Sequence, residues 1–98
     1  MLYVVLFEDN EERGTELRRE HLPAHLEFLE RSKDRITAAG PLLSAASAAE
    51  GGLWLVEARD REAVERLVKD DPFWPTGLRR SYRIAVWKQV FAAGHRLV

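Results

Sequence analysis

Cysteine is absent from this sequence of 98 residues, and neither sign of charge is in large excess. Without cysteine the chain can form no disulfide, no thiolate nucleophile and no cysteine metal site. Fifteen Lys and Arg are balanced by sixteen Asp and Glu, for a net charge of −1, so the chain has no basic field to attract nucleic acid or an anionic membrane. We therefore expect neither nucleic acid nor a membrane as a partner.

Long hydrophobic runs are also lacking. No stretch approaches the roughly 20 apolar residues that a membrane-spanning helix requires. The first apolar run follows Met1 directly, has no basic residues before it and ends at Glu8 and Asp9, which is not the pattern of a secretory signal. We expect a cytoplasmic protein, and the length predicts one domain over residues 1–98.

Hydrophobic periodicity predicts four strands and two helices. Runs rich in β-branched and aromatic residues mark the strands, and apolar positions three and four apart mark the helices. The predicted elements are a strand Leu2–Phe7, a helix from about His21 to Lys33, strands Ile36–Leu43 and Leu53–Ala58, a helix Arg61–Lys69, a strand from about Leu78 to Val90, and a short tail Phe91–Val98.

Two prolines help to place these elements. Thr15 is a possible helix N-cap, but Pro23 predicts that the well-formed helix begins only near His21, because proline is best tolerated in the first helical turn. Gly40-Pro41 predicts a bulge or an edge position for the second strand, because proline donates no hydrogen bond to a ladder.

The order βαββαβ predicts an α+β fold of the ferredoxin-like type, with a four-stranded antiparallel sheet and both helices on one face. The first and third strands are apolar on both of their faces. The face without helices would expose a large apolar patch, which monomers rarely tolerate. The pattern therefore predicts a homodimer in which the helix-free faces of two sheets pack together.

The segment His21-Leu-Pro-Ala-His25 draws attention to a possible site. Spacing of four residues puts both imidazoles on one helical face, as in helical zinc sites. A metal ion would need further ligands from unrelated segments, so we expect no metal. His21 is expected to pack at the boundary of the core, and His95 is expected to be solvated.

His25 and Asp71 each allow two interpretations. His25 is either an interior histidine that donates a hydrogen bond to a carbonyl or carboxylate, or a general acid and base. Asp71, which precedes Pro72-Phe73, is either a turn residue that accepts from backbone amides or the carboxylate that orients an imidazole. The spacing alone does not decide between them.

Other candidate sites find less support. Trp54, Trp74 and Trp87 favour the core or a dimer interface over a ligand pocket, because aromatic residues in a small domain mostly fill those places. No serine lies in a Gly-x-Ser-x-Gly elbow, which gives a serine hydrolase no support. Gly40 belongs to no phosphate-cradling loop, so no nucleotide cofactor is expected.

Five short motifs together resemble the YciI-like, or YCII-related, domain family. They occur in order over essentially the whole chain: Met1-Leu-Tyr-Val-Val5, Pro23-Ala-His-Leu26, Ala39-Gly-Pro41, Asp71-Pro-Phe73 and Val86-Trp-Lys-Gln-Val-Phe91. The resemblance implies a dimeric α/β barrel of ferredoxin-like subunits. It also implies a histidine–aspartate pair in a cleft, as a proposed catalytic site.

Placed on this sequence, the resemblance implies that His25 and Asp71 form that pair. It implies further that Gly40 and Pro41 shape the wall of the cleft and that Phe73 borders it.

One position departs from the family pattern. Some relatives carry an arginine directly before Pro-Ala-His-Leu, where this sequence has Leu22, with Arg18 and Arg19 a turn earlier. An anion-binding role of that position is therefore not carried over.

Two functions remain open at this point. In the first, the protein binds a small cyclic or carbonyl compound, and His25, oriented by Asp71, catalyses proton transfer, isomerisation or elimination without metal or cofactor. In the alternative, the protein is a non-catalytic dimeric binding or structural module, and the same pair is a structural hydrogen bond.

Overall fold

A computed structural model describes residues 1–98 and confirms the ferredoxin-like order. The main elements are β1 (Leu2–Asp9), α1 (Gly14–Arg31), β2 (Ile36–Leu43), β3 (Ala49–Glu57), α2 (Arg61–Asp70) and β4 (Arg79–Val86). A 3-10 turn, Trp74–Thr76, lies between α2 and β4, and the short strands β5 (Phe91–Ala92) and β6 (His95–Arg96) follow β4.

The four long strands form one antiparallel sheet in the order β2-β3-β1-β4. The alternate residues Tyr3, Val5 and Phe7 of β1 are buried. They belong to one apolar cluster with Phe28 of α1 and with three residues of α2, namely Val64, Leu67 and Val68. Both helices therefore cover the same face of the sheet, as predicted.

The position of β2 explains how the sheet accommodates Gly40-Pro41. β2 is an edge strand that pairs only with β3, and Pro41 lies opposite Gly52. A residue without a backbone N–H can face the open side of an edge strand without loss of a ladder bond. The predicted edge position is confirmed.

The prediction for the first helix was wrong at both ends. α1 begins at Gly14 rather than His21, ends at Arg31 rather than Lys33, and contains Pro23 in its interior. Its N-cap is Arg13, in the left-handed conformation, so Thr15 is not the cap. The helix continues through the proline because residues on both sides of it are packed: Leu17 before it, and His25 and Phe28 after it, are buried.

The strand boundaries also differ from the predicted ones. β1 continues to Asp9, β3 begins at Ala49 rather than Leu53, and β4 runs only from Arg79 to Val86. The tail is not irregular, since β5 and β6 pair as a small hairpin. Ala93 and Gly94 turn this hairpin with positive φ values of 52° and 79°.

The three tryptophans occupy different environments. Trp54 is buried in the main apolar cluster, Trp74 is partly buried against it, and Trp87 is 44% exposed beyond the end of β4. Neither α1 nor α2 is long and apolar enough to cross a membrane.

Candidate active site

His25 lies in the middle of α1 and faces the sheet. Its residue is only 8% exposed. The imidazole stacks on the ring of Phe73, with ring centroids 4.2 Å apart and planes inclined by 24°. The stacking fixes the plane of the imidazole, so its two nitrogens point in defined directions.

Asp71 directly follows α2 and ends it. Pro72 disfavours the helical conformation for the residue before it, and Asp71 adopts the extended conformation with φ −65° and ψ 129°. Its side chain is fully buried. Oδ1 accepts a hydrogen bond from the backbone N–H of Phe73 at 3.0 Å and lies 2.9 Å from Nδ1 of His25. Both interpretations of Asp71 therefore describe real contacts of the same carboxylate.

Arg79, the first residue of β4, contacts the second oxygen of this carboxylate. Its Nη1 donates to Oδ2 of Asp71 at 2.6 Å. The guanidinium carbon lies 3.8 Å from the ring centroid of Phe7 and 5.1 Å from that of Trp54. Arg79 thus brings a buried positive charge, held over aromatic faces, to the aspartate.

The sequence analysis did not identify Arg79, because a bulge changes the face on which it lies. Glu8 pairs with Ser81, but the next residue, Asp9, pairs with Arg79, so Arg80 is skipped. Strict alternation from Tyr82 would have placed Arg80, not Arg79, on the helix-covered face. The bulge reverses this assignment and turns Arg79 towards the site.

The charges of the site stabilise one another. Burial would raise the pKa of Asp71, but the hydrogen bond from His25 and the positive charge of Arg79 more than offset it and lower the pKa below the ordinary value. Burial also lowers the pKa of Arg79, against the opposing effect of Asp71. An arginine nevertheless remains protonated in proteins. Asp71 is therefore an ionised acceptor.

This ionisation determines which nitrogen of the imidazole carries a proton. An ionised carboxylate can only accept hydrogen bonds, so Nδ1 of His25 is the donor to Asp71. Nε2 makes no hydrogen bond to the protein. Every buried side-chain nitrogen of the protein has a hydrogen-bond partner, so Nε2 is not a buried atom. Nε2 is therefore open to the space beside it, and in the neutral ring it presents a lone pair there.

That space is a cavity of about 460 Å³ between α1 and the β2–β3 edge of the sheet. His25 and Trp54 line it, and so do Gly40, Pro41 and Phe73, the three residues that the family resemblance implies for the cleft. The rest of the lining is Arg18, Arg19, Leu22, Leu26, Leu29, Ala39, Ala49, Gly52 and Arg79.

Of the two glycines in the cavity wall, Gly40 has room for a larger side chain. A Cβ placed on Gly40 would meet nothing within 4 Å. Gly40 and Pro41 form the wall because edge strand β2 is not covered by α1 and leaves a gap, not because a larger side chain would clash.

The other two histidines lie apart from this site. The side chain of His21 is 40% exposed, with its Nε2 3.9 Å from a carboxylate oxygen of Glu20. His95 is exposed on the β5–β6 hairpin. No group of three or more His, Cys, Asp or Glu side chains is arranged to hold a metal ion. His21 does not line the cavity that His25 lines, although the two residues are one helical turn apart.

Comparison with known proteins gives a family and a fold. A family model described as the YCII-related domain matches residues 1–88. A search of curated proteins finds no match.

Several solved structures are similar to this chain. One is a 5-chloro-2-hydroxyhydroquinone dehydrochlorinase from Burkholderia phenoliruptrix AC1100 in complex with 2,5-dihydroxybenzoquinone. It has a TM-score of 0.81 and 29% sequence identity, over 90% of this chain and 94% of the other.

Two more distant structures share the fold. A NIPSNAP family protein from Agrobacterium tumefaciens has a TM-score of 0.56 and 8% identity, over 94% of this chain and 95% of the other. A protein from Bacteroides thetaiotaomicron, provisionally named an antibiotic biosynthesis monooxygenase, has a TM-score of 0.57 and 12% identity, over 95% and 91%. At these identities the likeness concerns the fold alone.

Proposed function

Because the chain belongs to the YCII-related domain family, we propose that it binds a small cyclic or carbonyl compound and transfers a proton on it. His25 is the general acid and base, and Asp71 orients it. The reaction class is proton transfer, isomerisation or elimination. The similarity to a dehydrochlorinase in complex with a dihydroxybenzoquinone supports this class of compound.

The proposal rests on the different environments of the two imidazole nitrogens of His25, of which only one is bound by the protein. Nδ1 is held by a buried carboxylate at 2.9 Å, whereas Nε2 has no protein partner and opens into the cavity. This is the arrangement by which a carboxylate fixes the tautomer of a histidine whose other nitrogen exchanges protons with a substrate. The stacking on Phe73 holds the ring in that orientation.

The chemistry needs no oxidant or reductant. In an elimination, Nε2 takes a proton from the compound, the electron pair of the broken bond forms the new double bond, and the leaving group departs with its own pair. In an isomerisation, the same nitrogen returns the proton to another atom. The imidazolium formed in between lies next to Asp71, whose negative charge stabilises it.

His25→Asn is the variant that tests this proposal, with 2,5-dihydroxybenzoquinone as the probe. We expect the wild-type protein to accelerate exchange of the ring hydrogens for deuterium in D₂O, because such exchange requires proton transfer at a carbon next to a carbonyl. His25→Asn should slow this exchange by about a hundredfold, the lower range for loss of a general acid–base group. Proton NMR of the probe measures the rate.

His21→Asn is the matched control, since it makes the same change one turn away on the same helix and outside the cavity. It should exchange the probe at the wild-type rate. Equal rates for His25→Asn and the wild-type protein would contradict the proposal.

One observation favours the structural alternative. The fully buried Asp71 contacts α1 through His25, its own loop through Phe73, and β4 through Arg79. Such a carboxylate can hold three elements together whether or not any reaction occurs. If His25→Asn lowers the melting temperature strongly and even the wild-type protein does not accelerate exchange of the probe, this alternative is correct.

We also propose that the protein works as a homodimer of single-domain subunits. Val4 of β1 lies between Leu55 of β3 and Ala85 of β4, and Leu6 lies opposite Leu53, so these side chains form one apolar patch on the helix-free face. Leu6 is 36% exposed. A second copy of the same face would remove this patch from water.

Leu55→Glu tests the dimer. Pairing two such faces would bury unpaired carboxylates, so we expect dissociation into monomers, with a dimer weakened by about a hundredfold or more. Sedimentation velocity measures the change. Leu26→Glu, which puts the same charge on α1 on the opposite side of the sheet, should leave the oligomeric state unchanged. A wild-type monomer at high concentration would refute the homodimer.

A further inference from the structure

The charged residues that line the cavity are all positive. Arg18, Arg19 and Arg79 reach it, and none of the sixteen Asp and Glu residues does. The other lining residues are mostly apolar, apart from His25. In a chain with a net charge of −1, this one-sided lining sets the cavity apart from the rest of the surface.

Two of these arginines are neutralised by the protein itself. Arg18 holds both oxygens of Asp9 at 2.8–3.0 Å and also donates to the carbonyl of Gly51 at 2.9 Å. Arg79 donates to Asp71 at 2.6 Å. Their donors and charges are therefore engaged in holding the walls of the cavity together.

Arg19 differs from both of them. It is exposed, reaches the cavity from α1 and makes no ion pair or hydrogen bond to the protein. Glu16, one turn earlier, is engaged by Arg13 at 3.1 Å and 3.2 Å. The hydrogen bond from Arg13 lowers the pKa of Glu16 and the charge of Arg19 adds to this effect, but that carboxylate is already bound by Arg13. Arg19 is thus the one arginine at the cavity that forms no ion pair or hydrogen bond within the protein.

We propose that Arg19 selects the substrate of this site by its charge: the cavity takes a small ring that carries an ionised acidic group, a carboxylate, phenolate or enolate. This inference rests on the proposed function and names its substrate class. A guanidinium presents several N–H donors in a plane and suits such oxyanions. The apolar walls, including Leu22, Leu26 and Trp54, suit the body of the ring.

The spacing along α1 is compatible with one ligand that reaches both groups. Arg19 and His25 are six residues apart, which corresponds to a rise of about 9 Å along the helix axis. A substituted six-membered ring and the long arginine side chain can together span this distance. The acidic group would then lie at the mouth of the cavity and the reacting atom near Nε2 of His25.

A pair of probes that differ in charge tests the inference. 2,5-Dihydroxybenzoquinone is an anion at neutral pH, whereas 2,5-dimethoxybenzoquinone has the same ring and no charge. Titration calorimetry should show tighter binding of the anion by the wild-type protein. Arg19→Gln should weaken binding of the anion by about tenfold, the effect of one charge-assisted contact, and should leave binding of the ether unchanged.

Arg31→Gln is the matched control, because it removes one exposed arginine from the same helix outside the cavity. It should change neither affinity. Arg19→Lys should retain part of the preference for the anion. The inference is overturned if Arg19→Gln behaves like Arg31→Gln, if the ether binds as tightly as the anion, or if neither probe binds.

The two proposals fail in distinguishable ways. If the wild-type protein prefers the anion through Arg19 but exchanges no ring hydrogens, the proton-transfer function is wrong and the charge selection stands. If exchange depends on His25 while Arg19→Gln changes no affinity, the charge selection is wrong and the proton-transfer function stands.

Discussion

Asp71→Ala is expected to lower the free energy of unfolding by about 3–5 kcal/mol, the usual cost of removing one partner of a buried ion pair. The carboxylate is fully buried and accepts from three groups: Nδ1 of His25, the backbone N–H of Phe73 and Nη1 of Arg79. Alanine would leave all three donors without an acceptor and would leave the guanidinium of Arg79 without its counter-charge. Chemical denaturation monitored by tryptophan fluorescence measures the loss.

A double-variant cycle separates the charge from the hydrogen bonds. Asp71→Asn keeps an acceptor oxygen for Phe73 and His25 but removes the negative charge. Arg79→Met removes the positive charge and keeps a long side chain over Phe7 and Trp54. The double variant should be more stable than the sum of the two single losses predicts, because neither charge is then buried alone.

The exposed neighbour Asp70 provides the control. Asp70→Ala makes the same chemical change one residue earlier and should alter stability by less than about 0.5 kcal/mol. If Asp71→Ala proves no more costly than Asp70→Ala, the buried network does not stabilise the fold.

The lowered pKa of Asp71 gives the direction of a pH effect. A carboxyl group whose pKa is lower in the folded than in the unfolded state contributes stability above its unfolded pKa, about 4 for aspartate. This contribution is lost as the pH falls through the lower folded pKa. The wild-type protein should therefore lose more stability than Asp71→Asn on acidification below about pH 4. Parallel losses in the two proteins would contradict this assignment.

The fold could be predicted because its hydrophobic pattern is strong. Tyr3, Val5 and Phe7 alternate with residues of the other face, and Val64, Leu67 and Val68 form one stripe of α2. Each pattern specifies its element and its buried side. The start of α1 could not be found in this way. Proline prefers the first turn of a helix, but the tertiary packing of Leu17 outweighs this preference of Pro23, and tertiary packing is not visible in a local sequence pattern.

The candidate site was predictable only in part for a similar reason. His25 and Asp71 were suggested by motifs that are contiguous in sequence. Their third partner depended on a bulge that displaces Arg80 and turns Arg79 inward. An insertion of one residue in a pairing register leaves little trace in the pattern of Arg79-Arg80-Ser81, so the sequence does not indicate which of the two arginines faces the carboxylate.

A second substitution with a large expected effect on the free energy of unfolding lies at the end of the sheet beside the cavity, where β3 passes very close to β1. Gly51 lies at this crossing, and a Cβ placed on it would be 2.1 Å from the carbonyl oxygen of Phe7 and 3.2 Å from its carbonyl carbon. Both atoms belong to the backbone of a central strand, so no side-chain rotation can relieve the clash. The carbonyl of Gly51 also accepts from Arg18, which lines the cavity.

Gly51→Ala should therefore separate the two central strands locally and lower the free energy of unfolding by about 3 kcal/mol or more, at the upper end of the cost of overpacking. Denaturant unfolding measures the shift of the midpoint. Gly40→Ala is the matched control, because a Cβ there would meet nothing within 4 Å and the edge strand should lose no stability. Equal midpoints for the two variants would mean that β1 and β3 can move apart without cost, and the cavity wall that depends on their close approach would then not be rigid.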